Sequence, residues 1–287
     1  MNLSTNFDQE KSLWNVYLND LRILAYGYGE EDDPNPSFHV VKTIEGHQLT
    51  LYRPWDHPWH NGLFFSWKYI NKFNFWEAIY HGENNVVVTD MFTPFENEEI
   101  GFNQKLSYIT YEGDKLLNEN RTVQIQSESQ GYLIHWKSSF FTENGSITLE
   151  SSENTERTPW GGYGGLSCRL NRNFLSPVIT TDLGVYSAND AFAKPFKWCD
   201  YSGQLDGFTK ERWAGICIMD HPSNQRFPSP KLTYDYKDMQ FISSAMLFNQ
   251  PYVLNKGEEL SLNYSFYIHD GAANKEELGK IWGKISQ

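Results

Sequence analysis

The stretch Tyr52-Arg53-Pro54-Trp55-Asp56-His57-Pro58-Trp59-His60-Asn61-Gly62 sets a guanidinium, a carboxylate, two imidazoles and two indoles within eight consecutive positions. A packed core has no place for that mixture, because each buried polar head must be bonded or cost kilocalories. A solvated turn has no use for the indoles. The set suits the floor of a polar pocket, where indoles stack on the apolar face of a sugar ring and charged groups bond its hydroxyls.

Histidine changes charge near neutral pH and is the commonest general acid or base. His57 and His60 are therefore candidate acid–base groups, with His221 opposite and Glu77 and Asp200 as carboxylate partners. Two carboxylates at a fixed gap would suit glycoside hydrolysis, but spacing along the chain gives no gap. Arg53, Arg169 and Arg226, with Asp56, His81, Tyr163 and Asn224, are candidate substrate ligands, and Trp55 and Trp76 a stacking wall. The i, i+3 pair His57 and His60, with Asp56 adjacent and Glu77 and His81 later, can ligate a divalent ion. Pro58 between them, and the lack of a His-Glu-x-x-His helix, favour histidines that bond a ligand or orient each other. No metal and no cofactor is expected.

Asp-His-Pro occurs twice, at 56–58 and 220–222. The second copy reads either as the opposite wall of the same pocket or as a turn in which Asp caps backbone amides. No Gly-x-Ser-x-Gly elbow supports a serine nucleophile. Cys168, Cys199 and Cys217 sit in apolar runs at wide spacing, so they read as buried hydrophobes rather than a disulfide framework or zinc site. The glycine-dense run 159–169 lacks the Gly-Lys-Ser/Thr of a phosphate loop. Its glycines would let the backbone turn sharply or approach a ligand.

The elements that must hold these groups read as strands. Residues 14–27, then Phe38–Ile44 and Gln48–Tyr52 as a hairpin around Glu45-Gly46-His47, alternate apolar and polar residues. So do Gln104–Tyr111, Arg121–Gln126, Tyr132–Trp136, Ser146–Leu149, Ser243–Phe248 and Leu260–His269, with Val86–Thr89 as a shorter unit. Trp213–Met219 is continuously apolar, as a buried strand should be. Short strands with Gly-, Asn- and Asp-rich turns predict an antiparallel sandwich or barrel. Lys275–Trp282 is the one convincing helix, with Leu278, Ile281 and Trp282 on one face. No linker divides the chain, which predicts a single domain over 1–287.

The net charge of −12 argues against a nucleic-acid partner. Acidic runs such as Glu30 to Asp33 and Glu96 to Glu99 read as solvated loops. No apolar run approaches a membrane span and Met1 to Leu13 lacks the apolar centre of a signal peptide, so a cytoplasmic protein without a membrane partner is expected.

Together, Arg53-Pro54-Trp55-Asp56-His57-Pro58-Trp59-His60-Asn61-Gly62-Leu63, Phe75-Trp76-Glu77, Gly164-Gly165-Leu166 with Arg169, and Asp220-His221-Pro222-Ser223-Asn224 with Arg226 and Pro228 resemble the PmoA-like proteins, a domain of unknown function. Leu247 to Tyr252 and Tyr267 to Gly271 fit as well, so the resemblance covers about 20–271. Where members often carry Asp-His-Pro-His-His-x-Gly, Trp59 replaces the middle histidine, which weakens any three-histidine metal site. The family label alludes to methane oxygenase, whose membrane subunit needs apolar spans that this chain lacks. The resemblance implies an all-β antiparallel supersandwich like that of galactose mutarotases, with one short C-terminal helix. The convergence of polar groups in an aromatic setting points first to a carbohydrate-active enzyme, a hydrolase, lyase or epimerase on a sugar or glycoside, with a non-catalytic sugar-binding module and a metal-dependent enzyme as the alternatives.

Overall fold

In the computed structural model, residues 2–29, 35–96, 98–207 and 210–287 are described. The acidic run Glu30 to Asp33 lies outside them, as does part of Glu96 to Glu99.

Two nine-stranded sheets pack face to face. The first runs, in spatial order, β1 (Leu3–Asp8), β2 (Leu13–Leu18), β3 (Leu21–Gly27), β4 (Ser37–Val41), β5 (Leu63–Ser66), β13 (Gly165–Leu170), β20 (Met239–Ser244), β19 (Pro230–Tyr236) and β16 (Lys194–Pro195). The second runs β15 (Val185–Tyr186), β14 (Phe174–Thr181), β17 (Trp198–Leu205), β18 (Trp213–Asp220), β22 (Glu259–Asp270), β11 (Gly131–Phe141), β10 (Lys115–Glu128), β9 (Ile100–Ile109) and β8 (Val86–Pro94). A four-stranded sheet, β21 (Tyr252–Leu254), β12 (Ile147–Glu150), β6 (Tyr69–Ile70) and β7 (Phe73–Asn74), adds Ile70, Ile147, Leu149 and Leu254 to the same core. Every described pairing is antiparallel, for instance Gly131↔His269 through Phe141↔Glu259.

Period-two alternation decides which side chains enter the core. β22 sends Leu260, Leu262, Tyr264, Phe266 and Ile268 inward, and turns Tyr267 and His269 outward beneath a helix. That helix, α2 (Lys275–Ile285), follows the short α1 (Ala188–Ala191) in chain order. Asn274 caps α2 by accepting the Glu276 and Glu277 amides, and Leu278 and Ile281 pack on Leu133, Trp198 and Cys217.

The core also holds charge. Arg121 donates two bonds to Glu119, at 2.7 and 2.9 Å, lies 4.5 Å from the Trp136 ring, and bonds Tyr26 Oη. Tyr108 completes the carboxylate at 2.7 Å. These residues face inward because 117, 119, 121, 123 and 125 share one face of β10, so a strand of ordinary alternation buries an ion pair. Such a pair is costly to break from one side, by about 3–5 kcal/mol.

The fold is the antiparallel β-sandwich expected, closed by its C-terminal helix. Three details differ. Residues 3–8 form an edge strand the pattern did not signal. Gln48–Tyr52 makes single bridges rather than a continuous strand: Lys42↔Gln48 closes the expected hairpin, with Leu49 N–H on the Val41 carbonyl at 2.9 Å, and Thr50↔Leu170 and Tyr52↔Asn61 follow. Beyond Leu49 the segment leaves the hairpin for β13, where Leu51 N–H bonds the Arg169 carbonyl at 3.0 Å. The 159–169 glycines serve the chain's own close packing: Gly165 has φ +133°, and a Cβ there would meet the Ser244 carbonyl at 2.5 Å, while one at Gly162 would strike the Phe248 ring. No described helix is long and apolar enough to cross a membrane.

Candidate functional site

The site lies on the outer face of the first sheet. In β13, Leu166, Cys168 and Leu170 enter the core, so Ser167 and Arg169 turn outward. Phe64 of β5 and Phe241 of β20 turn the same way and join Trp76, Leu232, Tyr234 and Ala245 in a second apolar cluster. That cluster is the platform on which the polar groups stand.

Residues 51–62 cross this platform as an excursion tied at both ends to β13. Leu51 bonds the Arg169 carbonyl, and the Arg169 amide bonds the Gly62 carbonyl at 2.7 Å. Inside it, Arg53 N–H bonds the His60 carbonyl at 2.9 Å, His57 N–H bonds Pro54 at 3.1 Å, and His60 N–H bonds His57 at 2.9 Å. Arg53 takes φ +47°, a left-handed conformation that turns the chain over the sheet face.

Asp56 is the hub. One carboxylate oxygen accepts from His57 Nδ1 at 2.8 Å and from Arg169 at 2.7 Å, and the other accepts from Arg172. Both arginines also donate to the Asp238 carbonyl, at 2.7 and 3.0 Å. Burial would raise the Asp56 carboxyl, but the bonds from His57 and Arg169 and the Arg169 charge overcome it and hold it at about 2. Arg169 is wholly buried, and its Nε has no hydrogen-bond partner. Arg169 also reaches His60 Nδ1 at 3.3 Å.

These bonds fix two opposite tautomers. An ionised Asp56 only accepts, so His57 donates from Nδ1 and presents a lone pair at Nε2. A guanidinium only donates, so His60 accepts at Nδ1 and carries its proton on Nε2. Among the described residues neither Nε2 has a hydrogen-bond partner. The two rings stack 4.7 Å apart at 16°, and His60 stacks in turn on Phe241 at 5.0 Å. Burial, then the neighbouring His57 and Arg169, push the His60 pKa well below its usual value, so it stays neutral. His57 is the accessible partner, with a side chain 34 % exposed.

A second polar group stands across Trp76, whose ring lies 6.1 Å from His60 and 5.1 Å from Tyr163. Glu77 accepts from Lys68 through one oxygen and from Tyr163 Oη at 2.9 Å through the other. Burial, then Glu77, push the Tyr163 pKa up. Around the rim, Trp59 lies 5.9 Å from Tyr80 and 6.0 Å from His81, and Arg53 donates to Tyr80 at 2.6 and 3.0 Å. Trp55 is 78 % exposed, with Arg172 5.8 Å from its ring.

The structure thus brings Arg53, Trp55, Asp56, His57, His60, Trp76, Glu77, His81, Tyr163 and Arg169 to one face. It does not bring Asp200, His221, Asn224 or Arg226 there. Asp200 faces out of the second sheet and bonds His269 at 2.9 Å under α2. Asp220 enters the sandwich core beside Lys231 and caps Ser229, with bonds of 2.8 and 2.7 Å. Among the described residues the His221 ring then bonds only Ser223, at 2.7 Å to its hydroxyl, and Asn224 fastens Asp220 to β22. Arg226 binds the carbonyls of Met246, Gln250 and Pro251. The second Asp-His-Pro is therefore a capped turn, not the opposite wall.

Sequence reading missed Arg172 and Lys68. Arg172 follows Arg169 by three and had a signal in that spacing; Lys68 lies inside an aromatic run and had none.

A family model described as a family of unknown function, DUF6807, matches residues 14–283. This corrects the resemblance to the PmoA-like proteins, since no PmoA-like family is found. No curated protein matches. Among solved structures, a heparan sulfate lyase HepC mutant from Pedobacter heparinus is similar over 91 % of this chain and 34 % of that one, at 9 % identity and a TM-score of 0.36. The chain spans about a third of that protein, and so low a score carries no argument about function.

Proposed function

The chain belongs to the DUF6807 family of unknown function, and from its geometry we propose an acid–base enzyme that removes a proton from an anionic sugar, as a lyase does. The observation that supports this most is the pair of opposed tautomers: a His57 lone pair set by Asp56, beside a His60 N–H set by Arg169. A base held by a carboxylate and a neutral donor next to it suit abstraction of a proton from carbon next to a carboxylate.

The remaining groups fit that chemistry better than hydrolysis. A hydrolase of the common type needs two free carboxyl groups flanking the bond. Here Asp56 is committed to two arginines, and Glu77 to Lys68 and Tyr163. Arg169 and Arg172 gather at Asp56 and the Asp238 carbonyl, and Arg53 stands on the rim beside Tyr80, so the patch suits an anion within a chain of net charge −12. In the reaction, His57 Nε2 takes the proton and the C–H electron pair enters a new C=C bond. The β C–O bond breaks, and the imidazolium returns the proton to the leaving oxygen. A single exposed base on one side suits elimination better than epimerisation, which needs a second group on the opposite face. Trp55 and Trp59 would hold the ring.

The test is a screen of uronate-containing glycosides, followed by the ultraviolet absorbance of the conjugated product and by deuterium uptake from D2O. Wild-type turnover that disappears in His57→Ala and falls in Asp56→Asn is the expected result. Turnover equal in wild type and His57→Ala would sink the assignment. Ligand-dependent thermal stabilisation with no product would make this a binding module instead.

A further inference from the structure

Away from that face, the turn before Gln48 meets the end of β22. Thr43 N–H bonds the His47 carbonyl at 3.0 Å, Gly46 N–H bonds Thr43 at 3.0 Å, and His47 N–H bonds Thr43 Oγ1 at 3.2 Å, so the turn is rigid. It presents Glu45 and His47 toward Asp270, whose backbone pairs with Ala214. The Glu45 amide donates to Asp270 Oδ2 at 3.1 Å and so fixes the carboxylate. Asp270 Oδ1 is buried and accepts no hydrogen bond.

His47 Nε2 stands 3.5 Å from Glu45 Oε2 and 3.9 Å from Asp270 Oδ1, and the three atoms all lie within 4.8 Å of one another. These are not the distances of closed ion pairs. Elsewhere in this protein, His57 meets Asp56 at 2.8 Å and His269 meets Asp200 at 2.9 Å. Ligands bound tetrahedrally at about 2.0–2.1 Å stand roughly 3.4 Å apart, which is near the spacing seen here. The three groups stand close enough together to share one ion.

We propose that Glu45, His47 and Asp270 form a binding site for a divalent transition ion of the Zn2+ class. One imidazole and two carboxylates make a mixed nitrogen–oxygen set, whereas Ca2+ takes six to eight oxygens and Mg2+ keeps most of its waters. Glu45 is 56 % exposed, so water reaches the remaining coordination position. The ion would staple the β4-side turn of the first sheet to the end of β22 in the second. The proposal is independent of the sugar site, because none of its ligands touches that face.

The experiment uses the full chain, stripped with a chelator and titrated with ZnCl2 in a calorimeter, with thermal melts alongside and CaCl2 as control. One saturable Zn2+ site that raises the melting temperature is expected, with binding at least about tenfold weaker in Glu45→Gln and in His47→Ala. Glu45→Gln changes an exposed side chain, so it reads the site even if His47→Ala folds poorly. Three results would overturn the proposal. They are no saturable heat in wild type, binding by Glu45→Gln as tight as wild type, or loss of the ion in His57→Ala with Glu45→Gln unaffected.

Discussion

Two Asp–His pairs of almost equal length sit on opposite outer faces of the sandwich. Asp56 and His57 meet at 2.8 Å over the first sheet, and Asp200 and His269 meet at 2.9 Å over the second. Their surroundings differ in what is left over. His269 is 5 % exposed and both its ring nitrogens are engaged, Nε2 with Asp200 and Nδ1 with the Asp270 carbonyl at 3.3 Å. His57 uses one nitrogen and turns the other toward solvent. A histidine with both nitrogens engaged can only stabilise, even with Asp200 Oδ1 beside it buried and without a hydrogen-bond partner. A histidine with one nitrogen held open can also do chemistry. The Arg121–Glu119 pair in the core follows the first pattern, with every carboxylate oxygen and two aromatic hydroxyls engaged.

The sharpest way to break the comparison is a double contrast. His57→Ala should lower turnover by about 10²–10⁴-fold, the usual contribution of a positioned base. Its effect on folding stability should stay near 1 kcal/mol, the worth of one ordinary hydrogen bond. His269→Ala should do the reverse. It strands Asp200 beneath α2 and should cost about 3 kcal/mol in a urea melt, with turnover per folded molecule unchanged. If His57→Ala unfolded the protein, or His269→Ala abolished turnover, the division into working and structural pairs would fail.

The pH dependence of stability should separate the two faces by sign. Burial opposes the His269 charge, but Asp200 outweighs it and raises the pKa. Its contribution is fully present below the unfolded value of about 6.5 and is lost as pH rises through the folded value. His60 is depressed, chiefly by burial. Below about 6.5 the unfolded chain takes up a proton that the folded chain refuses, so stability falls as pH drops. Melts across pH 5–9 should therefore show His269→Ala closest to wild type at the alkaline end. His60→Phe should flatten the acid limb.

How much of this was legible beforehand depends on what carries each feature. Alternation along β10, β11 and β22 was enough to foresee a sandwich, because side-chain direction has period two whatever the neighbours are. The 53–60 excursion stood out because its composition suits neither core nor solvent. The two Asp-His-Pro copies were indistinguishable as text. Asp220 ends a strand whose alternation carries it into the core beside Lys231, whereas Asp56 lies on an excursion above a sheet. Strand register and the turn of the chain decide that, and neither is written in three residues. Asp200 was misplaced for the same reason: its outward parity on β17 faces α2, a partner distant in sequence.

The smallest effect tests whether the open face is built for a ring. Trp55 is 78 % exposed, with the Arg172 guanidinium over its ring at 5.8 Å, so the fold gains little from it. Trp55→Ala should leave the urea midpoint within about 0.5 kcal/mol of wild type. If a sugar stacks there in ground state and transition state alike, KM rises about tenfold with kcat unchanged, since uniform binding is all that is lost. A fall in kcat instead would mean that the indole positions Arg172 against Asp56, and through it His57. The ring would then belong to the Asp56 hub rather than to the substrate wall.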